Sequence, residues 1–285
     1  MEIKTIGIIG AGTMGNGIAQ VAALAGYNVL MRDIEQKFVD KGMEAVRKSL
    51  GKAVEKGKMA QPDADAALGR IKGTMVLSDL KDCDFIIEAV IENAELKRKV
   101  YAELDKLCPA HTIFASNTSS ISITELAAGT SRVDRFIGMH FMNPVPLMKL
   151  VEMIRGLGTS DETAKITKGM AEKMGKTVAE VTDYPGFVSN RVLMPMINEA
   201  IYCLMEGVGS RESIDTVMKL GMNHPMGPLE LADLVGLDVV QYILEVMYAG
   251  FGDPKYRPCP LLKKMVKAGR LGRKTGIGFY EYPKK

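Results

Sequence analysis

No segment constrains the fold of this chain more than TIGIIGAGTMGNGIAQ near the N-terminus. A short apolar run leads into three spaced glycines, and helix-forming residues follow them. In a strand–turn–helix of this kind the first glycine permits a tight turn, the second lets backbone approach a pyrophosphate, and the third lets helix and strand pack closely. The helix N-terminus then offers unpaired N–H groups to phosphate. The segment predicts a dinucleotide site that includes Gly10, Gly12, Thr13, Met14 and Gly15.

Asp33 ends a second strand-like run, NVLMRD. A carboxylate at this position can accept hydrogen bonds from the hydroxyls of the adenosine ribose, and it repels a 2′-phosphate. NAD is therefore the predicted cofactor. Arg32 and Lys37 stand close to Asp33 in sequence and carry positive charge, so the residues alone leave NADP open. The alternative is a glycine-rich turn followed by an ordinary surface aspartate, and the order of strand, glycines, helix and acid argues against it.

Strand-like and helix-like segments alternate through most of the chain. After the first βαβ unit we predict helices over about residues 35–58, at QPDADAALGRI and at NAELKRKVYAELDKLC. Buried strands are predicted at CDFIIEAV, TIFAS, RFIGMHF, MKLVEMI and KTVAEV. Beyond TDYPGF, helical segments broken by Gly and Pro continue until a strand-like IGFYEY. We predict an α/β protein with a Rossmann-like dinucleotide-binding domain at residues 1–183 and an all-α C-terminal domain at 184–285.

One long helix is predicted within VSNRVLMPMINEAIYCLMEG. Apolar residues recur there every four positions, and a second stripe formed by Leu193, Ile197 and Ile201 lies beside them. A helix that is apolar over so wide a face needs covering on more than one side. We expect it to be central to the second domain and to pack against a partner subunit as well. The first stripe consists of Val188, Val192, Met196, Ala200 and Leu204.

Composition excludes several classes of function. Thirty-seven Lys and Arg against 34 Asp and Glu leave a formal charge of +3, which is too small for a nucleic-acid-binding surface without a clustered patch. No apolar stretch approaches the roughly 20 residues that span a bilayer, and the N-terminus lacks the features of a secretory signal. We therefore expect a cytoplasmic protein with neither nucleic-acid nor membrane partners. The four cysteines are widely spaced, which predicts neither disulfides nor a metal site.

His140 is one of three histidines and lies at the end of the predicted strand RFIGMH. Ligands of an open α/β sheet bind beyond the carboxyl ends of its strands. Removal of a hydride from a secondary alcohol requires the hydroxyl proton to leave too, and an imidazole can accept that proton. Glu152, on the next strand-like segment, can hold the other ring nitrogen and stabilise the imidazolium. The alternative is a structural histidine beside a solvated glutamate, but the strand-end position favours a catalytic dyad.

Seven segments in order across both predicted domains resemble the L-3-hydroxyacyl-CoA dehydrogenase family, most closely its short bacterial members that act on 3-hydroxybutyryl-CoA. They are GIIGAGTMGNGIAQ, FIIEAVIEN, SNTSSISIT, IGMHFMNPVPLMKLVE, PGFVSNRVLMPMINEA, HPMGPLELAD and LGRKTGIGFY. The resemblance spans essentially the whole chain. It implies reversible oxidation of (S)-3-hydroxyacyl-CoA to 3-oxoacyl-CoA such as acetoacetyl-CoA, in fatty-acid and butanoate metabolism. It also implies a helical C-terminal domain that closes over the substrate and forms a homodimer.

The same resemblance implies roles for individual residues. His140 matches the catalytic histidine and Glu152 its acidic partner, while Ser119 and Asn190 match residues that hydrogen-bond the reacting oxygen. Ser49 and Lys56 match positions near the CoA moiety, with Lys52 between them. Cofactor-contacting positions of the family correspond to Asp33, Glu92, Lys97, Ser119, Asn143 and Lys274.

Several of these residues have structural explanations as well. Ser119 can cap the helix that follows it, Asn190 can cap the long helix, and Asn143 before Pro144 is typical of a turn. A basic stretch is usually the solvated face of a helix, although the phosphates of CoA would benefit from such a wall. The basic residues are Lys41, Arg47, Lys48, Lys52, Lys56 and Lys58.

Two other functions remain open at this point. A related β-hydroxyacid dehydrogenase that acts on free acids also joins a dinucleotide domain to helices. A non-catalytic dinucleotide-binding protein is the alternative from a different class. The presence of His140, Glu152, Ser119 and Asn190 together favours the enzyme.

Overall fold

An eight-stranded sheet organises the first of the two units into which the chain divides, Met1–Tyr184. The second unit begins at Pro185. The computed structural model describes residues 1–283. The strands are β1 Thr5–Ile9, β2 Asn28–Arg32, β3 Ile71–Thr74, β4 Phe85–Glu88, β5 Ile113–Ser116, β6 Phe136–Phe141, β7 Leu150–Arg155 and β8 Thr177–Thr182.

The strand order is β3-β2-β1-β4-β5-β6-β7-β8. From β3 to β6 the strands run parallel, in the order typical of dinucleotide-binding domains. β7 is antiparallel to β6 because no helix separates these two strands, and β8 is parallel to β7. The predicted Rossmann-like fold is confirmed.

β3 was not expected, since Lys72 and Gly73 interrupt its apolar pattern. This strand lies at one edge of the sheet, where a strand is not buried on both faces, and both residues are exposed. The central strands β1, β4 and β5 are buried along almost their whole length, and most of their residues are apolar. The helices of this unit are α1 Thr13–Leu24, α2 Gln36–Glu55, α3 Gln61–Gly69, α4 Ala94–Leu107, α5 Ile123–Ala127 and α6 Asp161–Lys173.

The second unit is helical and has a core of its own, formed around residues such as Ile197, Leu229 and Leu244. The predicted strand at IGFYEY is wrong. The N–H groups of Phe279 and Tyr280 donate to the carboxylate of Asp233 at 2.9 Å each, so that segment curls around a side chain instead of pairing along a strand. The helices are α7 Ser189–Met205, α8 Arg211–Thr216, α9 Pro228–Val235, α10 Leu237–Phe251 and α11 Pro260–Lys267, with a π-helical turn at Val217–Gly221.

The long helix predicted in this unit is α7, but its buried face differs from the first predicted stripe. Val188 and Val192 are 52% and 68% exposed, whereas Ile197 and Ile201 of the second stripe are fully buried. Residues spaced by four drift by about 40° per step around a helix of 3.6 residues per turn, so the five residues of the first stripe spread over more than one face, whereas the three residues of the second stripe stay closer together.

Within residues 1–283 no single helix is both long enough and apolar enough to cross a membrane. Helices α9 and α10 reach that length and composition only when they are taken together, and the chain bends by 95° between them.

Candidate active site

The glycine loop between β1 and α1 has the tight geometry that its sequence predicts. Gly10 has φ +100°, and a Cβ built on it would lie 2.5 Å from the carbonyl oxygen of Ala89. A Cβ on Gly15 would lie 1.7 Å from the carbonyl oxygen of Gly10, so neither position accepts a side chain. A Cβ on Gly12 would meet no atom within 4 Å. The loop therefore leaves open space at the N-terminus of α1, which fits a dinucleotide pyrophosphate.

Asp33, directly after β2, is tied to this loop. Its Oδ2 accepts a hydrogen bond from the N–H of Ala11 at 2.7 Å, and its Oδ1 accepts one from the N–H of Ile34 at the same distance. The carboxylate is thus held beside the glycines, where a ribose would lie. This arrangement fits the adenosine half of NAD.

The two basic residues near Asp33 are engaged elsewhere. The Nε of Arg32 donates to the carbonyl oxygen of Met75 at 3.2 Å. The ammonium of Lys37 lies 2.7 Å from the carboxylate of Glu35. Arg32 is therefore held by the segment after β3, and the charge of Lys37 is partly offset by Glu35, while Asp33 stays beside the glycine loop.

His140 and Glu152 are direct neighbours across the β6–β7 ladder. Their Cα atoms are register partners, and His140 Nδ1 lies 2.8 Å from Glu152 Oε2. The side chains are only 13% and 3% exposed. A carboxylate accepts the proton on Nδ1 of a neutral imidazole, which leaves Nε2 as the nitrogen able to take up a proton. The antiparallel reversal makes this possible, because it brings the start of β7 to the carboxyl edge where β6 ends.

Ser119 lies in the loop between β5 and α5. The capping alternative is wrong, because Ser122 is the N-cap of α5 and its side chain accepts from the N–H of Glu125. The N–H of Ser119 donates to Glu92 Oε1 at 2.9 Å, and its hydroxyl donates to the same oxygen at 3.3 Å. Glu92 therefore holds the loop that carries Ser119.

A buried ion pair lies behind this loop, and half of it was missed from the sequence. Lys97 Nζ is 2.6 Å from Glu88 Oε1, and the two side chains are 1% and 0% exposed. Glu88 Oε2 also accepts from the hydroxyl of Ser116 at 2.7 Å. Burial, with the charge of Glu88, raises the pKa of Tyr101 well above its usual range. A glutamate within the apolar strand FIIE was the available signal, since a buried charge requires a partner.

Asn143 is exposed in the connection between β6 and β7, and its peptide bond to Pro144 is cis. A second residue missed from the sequence, Lys176, holds this connection. Its ammonium donates to the carbonyl oxygens of Val145 at 2.5 Å and Met148 at 2.8 Å. Burial lowers the pKa of Lys176.

The candidate CoA-contacting residues lie on one side of the C-terminal end of α2. Ser49 is half-buried, whereas Lys52 and Lys56 are exposed. Their spacing of three and four places them on one face. Lys52 in the last turn and Lys56 at the C-cap also complement the negative end of the helix dipole. A structural and a binding role are compatible here.

Two candidate residues belong to the second unit. Asn190 is buried in the first turn of α7, and because Val188 occupies the N-cap position, Asn190 lies inside the helix and is not its cap. Lys274 forms an ion pair with Asp238, with Nζ and Oδ2 2.6 Å apart.

Among the predicted site residues, the structure brings together Asp33 with the glycine loop, His140 with Glu152, and Ser119 with Glu92.

Both units of the chain match known proteins. Residues 5–184 match the NAD-binding domain of 3-hydroxyacyl-CoA dehydrogenase, and residues 186–282 match its C-terminal domain. A probable 3-hydroxybutyryl-CoA dehydrogenase of Bacillus subtilis is 58% identical over 285 residues, which are 100% of this chain and 99% of the relative. The 3-hydroxybutyryl-CoA dehydrogenase of Bradyrhizobium diazoefficiens is 54% identical over 98% of this chain and 96% of its own.

A solved structure extends the likeness to the fold. The crystal structure of (S)-3-hydroxybutyryl-CoA dehydrogenase from Ralstonia eutropha matches with a TM-score of 0.98 and 55% identity, over 99% of this chain and 100% of that chain. The resemblance read from the seven segments is confirmed, and with it the NAD cofactor and the oxidoreductase class. The chain belongs to the 3-hydroxyacyl-CoA dehydrogenase family.

Proposed function

We propose that this chain is a 3-hydroxybutyryl-CoA dehydrogenase, which moves a hydride reversibly between NAD(H) and C3 of short (S)-3-hydroxyacyl-CoA or 3-oxoacyl-CoA. The observation that carries the proposal is the contact of 2.8 Å between His140 Nδ1 and Glu152 Oε2 at the carboxyl edge of the sheet. The names of relatives that are 54% and 58% identical over nearly the whole chain support the substrate.

The N–H groups at the start of α1 would hold the pyrophosphate of NAD, and Asp33 would hold the adenosine ribose. Bound NAD supplies the hydride acceptor, or as NADH the donor, at its nicotinamide ring. Gly12 offers the open backbone that this approach requires.

His140 acts as the general base in oxidation. Its Nε2 takes the proton from the C3 hydroxyl as the hydride leaves C3, and in reduction the imidazolium returns that proton to the forming hydroxyl. Glu152 fixes the proton on Nδ1 and stabilises the imidazolium. Ser119 and Asn190 hold the reacting oxygen through their hydroxyl and amide groups.

Ser49, Lys52 and Lys56 on α2 would contact the CoA moiety, whose phosphates attract ammonium groups. We propose a cytoplasmic location, in keeping with CoA thioesters and NAD as metabolites found inside cells. We also propose a homodimer through the second unit. Its support is a set of apolar side chains that are 59% to 82% exposed, Val208, Val217, Leu220 and Met222.

Spectrophotometric assay of acetoacetyl-CoA reduction tests the function, run in parallel with NADH and NADPH. We expect turnover with NADH, slower turnover with NADPH, and little turnover when free acetoacetate replaces the thioester. Equal or faster turnover of acetoacetate would make the chain a free-acid dehydrogenase. Binding of NADH without oxidation on addition of acetoacetyl-CoA would make it a non-catalytic dinucleotide-binding protein.

A further inference from the structure

A buried ammonium holds the connection between β6 and β7, residues 142–149. Lys176 directly precedes β8, and it is only 7% exposed. Its Nζ donates to the carbonyl oxygens of Val145 at 2.5 Å and Met148 at 2.8 Å. One side chain thus fixes two points of a segment that has no strand partner.

Helix α1 supports the same connection. Val145 is 2% exposed, and a Cβ built on Gly17 of α1 would lie 2.8 Å from Val145 Cβ and 3.5 Å from Pro146 Cδ. A side chain at position 17 would therefore push the connection away from α1. Because the N-terminus of α1 is the proposed pyrophosphate site, Gly17 and Lys176 together fix the connection relative to the cofactor loop.

The Lys176 ammonium requires a reason beyond packing. Burial of a charge is costly unless a partner compensates it, and an apolar side chain would fill the same space without that cost. Burial lowers the pKa of Lys176, and within residues 1–283 no carboxylate offsets this effect. Its partners are backbone carbonyl oxygens, which need donors wherever the chain leaves a strand. The ammonium is therefore suited to hold an irregular segment in one conformation.

The connection carries Asn143, an exposed residue three positions after His140. In the proposed reaction the nicotinamide lies beside the alcohol whose proton His140 accepts. The adenosine ribose lies at Asp33, after β2, and four strand spacings of about 4.8 Å separate β2 from β6, which is about 19 Å. Asn143 therefore lies at the nicotinamide half of the cofactor and far from the adenosine half.

We infer that Lys176 is a positioning residue for the nicotinamide half of NAD(H), because its ammonium fixes the connection in the conformation from which Asn143 contacts that half. The inference rests on the proposed function, which places the nicotinamide beside His140. A residue that acts through Asn143 has no further effect once the Asn143 amide is removed. It also has no effect on a ligand that ends before the nicotinamide half.

Dissociation constants of NADH and ADP test this for Lys176→Met, Asn143→Ala and the double variant, with NADH followed by fluorescence and ADP by calorimetry. ADP contains the adenosine and two phosphates but neither the nicotinamide nor its ribose. We expect the NADH constant to rise about 3- to 10-fold in each single variant, which corresponds to about one net hydrogen bond. The double variant should lie within about 2-fold of Asn143→Ala, and the ADP constant should change by no more than about 2-fold in all three.

Lys168→Met is the matched control, because it makes the same chemical change at an exposed position of α6. Both constants should stay at their wild-type values in this variant. The stoichiometry of ADP binding gives the folded fraction of every sample. Should Lys176→Met fail to fold, Gly17→Ala displaces the same connection from the side of α1, and it should weaken NADH binding while ADP binding is kept.

An unchanged NADH constant in either single variant would overturn the inference, and so would losses that multiply in the double variant. Equal weakening of NADH and ADP would also overturn it, by showing a general loss of structure in the first unit. Turnover of acetoacetyl-CoA by the wild-type chain is measured in parallel. Its absence would refute the proposed function, whereas normal turnover with any of these contrary binding results would refute the inference alone.

Discussion

Glu152→Gln is the most direct perturbation of the proposed chemistry. The amide keeps the size of the carboxylate and can still accept from His140 Nδ1, whose distance to Oε2 is 2.8 Å. Only the negative charge is lost. Because the imidazole becomes positive on the way to the transition state of oxidation, that charge is needed more there than in the ground state.

The structure bounds the size of the effect. A hydrogen bond to a charged group contributes about 1.5–3 kcal/mol and a neutral one about 0.5–1.5 kcal/mol, so the difference between corresponding ends of the two ranges is about 1 to 1.5 kcal/mol. Coulomb attraction between charges about 4 Å apart at an effective dielectric constant of about 20 sets an upper limit of about 4 kcal/mol. The pair is 13% and 3% exposed, so screening by solvent is weak. At about 1.36 kcal/mol per factor of ten, we expect kcat for oxidation to fall about 100-fold.

The assay is the oxidation of (S)-3-hydroxybutyryl-CoA with saturating NAD, followed by NADH absorbance. Glu180→Gln on neighbouring β8 is the matched control, because it makes the same chemical change at a half-exposed position. That variant should retain wild-type kcat. A folded Glu152→Gln enzyme with wild-type kcat would refute the dyad.

Three further predictions concern the cofactor site and its support. Asp33→Ala should lower the preference for NADH over NADPH, measured as a ratio of kcat/KM, by about tenfold or more, because it removes the charge that repels a 2′-phosphate. Gly15→Ala should lower Tm and abolish NADH binding, because its Cβ would lie 1.7 Å from the carbonyl oxygen of Gly10. The control is Gly51→Ala in α2, whose Cβ would have open space around it. This variant should stabilise the helix by about 1 kcal/mol. Glu92→Gln should make the stability of the folded protein less sensitive to acid. The pKa of Glu92 in the folded state lies below its unfolded value of about 4.3. The ionised side chain therefore stabilises the folded state above that value, and this stabilisation is lost as the pH falls through the folded pKa. Chemical denaturation from about pH 6 to about pH 3 should therefore cost the wild-type chain more free energy of unfolding than it costs the variant.

Local sequence patterns were sufficient to predict much of the fold and part of the candidate site. The glycine loop was predictable because strand, turn and helix are consecutive, and its requirements are steric. His140 and Glu152 were predictable because each lies on a strand segment whose end could be read from the sequence. The structure adds that they are cross-strand partners, which depends on the antiparallel direction of β7.

Contacts between distant segments account for what the sequence did not reveal. The role of Glu88 depends on Lys97 and on Ser116, which lies on a different strand. The strand expected at IGFYEY failed because Asp233, far away in sequence, takes its N–H groups. Side-chain partners of this kind leave no periodic signal.

The β6–β7 hairpin has a consequence for how this enzyme tolerates insertions. His140 faces Glu152 because the two strands are in register, and the eight residues 142–149 between them do not set that register. Added or deleted residues in the connection would therefore reshape the surroundings of Asn143 without separating the two side chains. A single residue inserted within either strand, between the dyad and the rest of the ladder, would turn one partner to the opposite face of the sheet. Variation in length should thus be confined to the connection, and the strands should keep theirs.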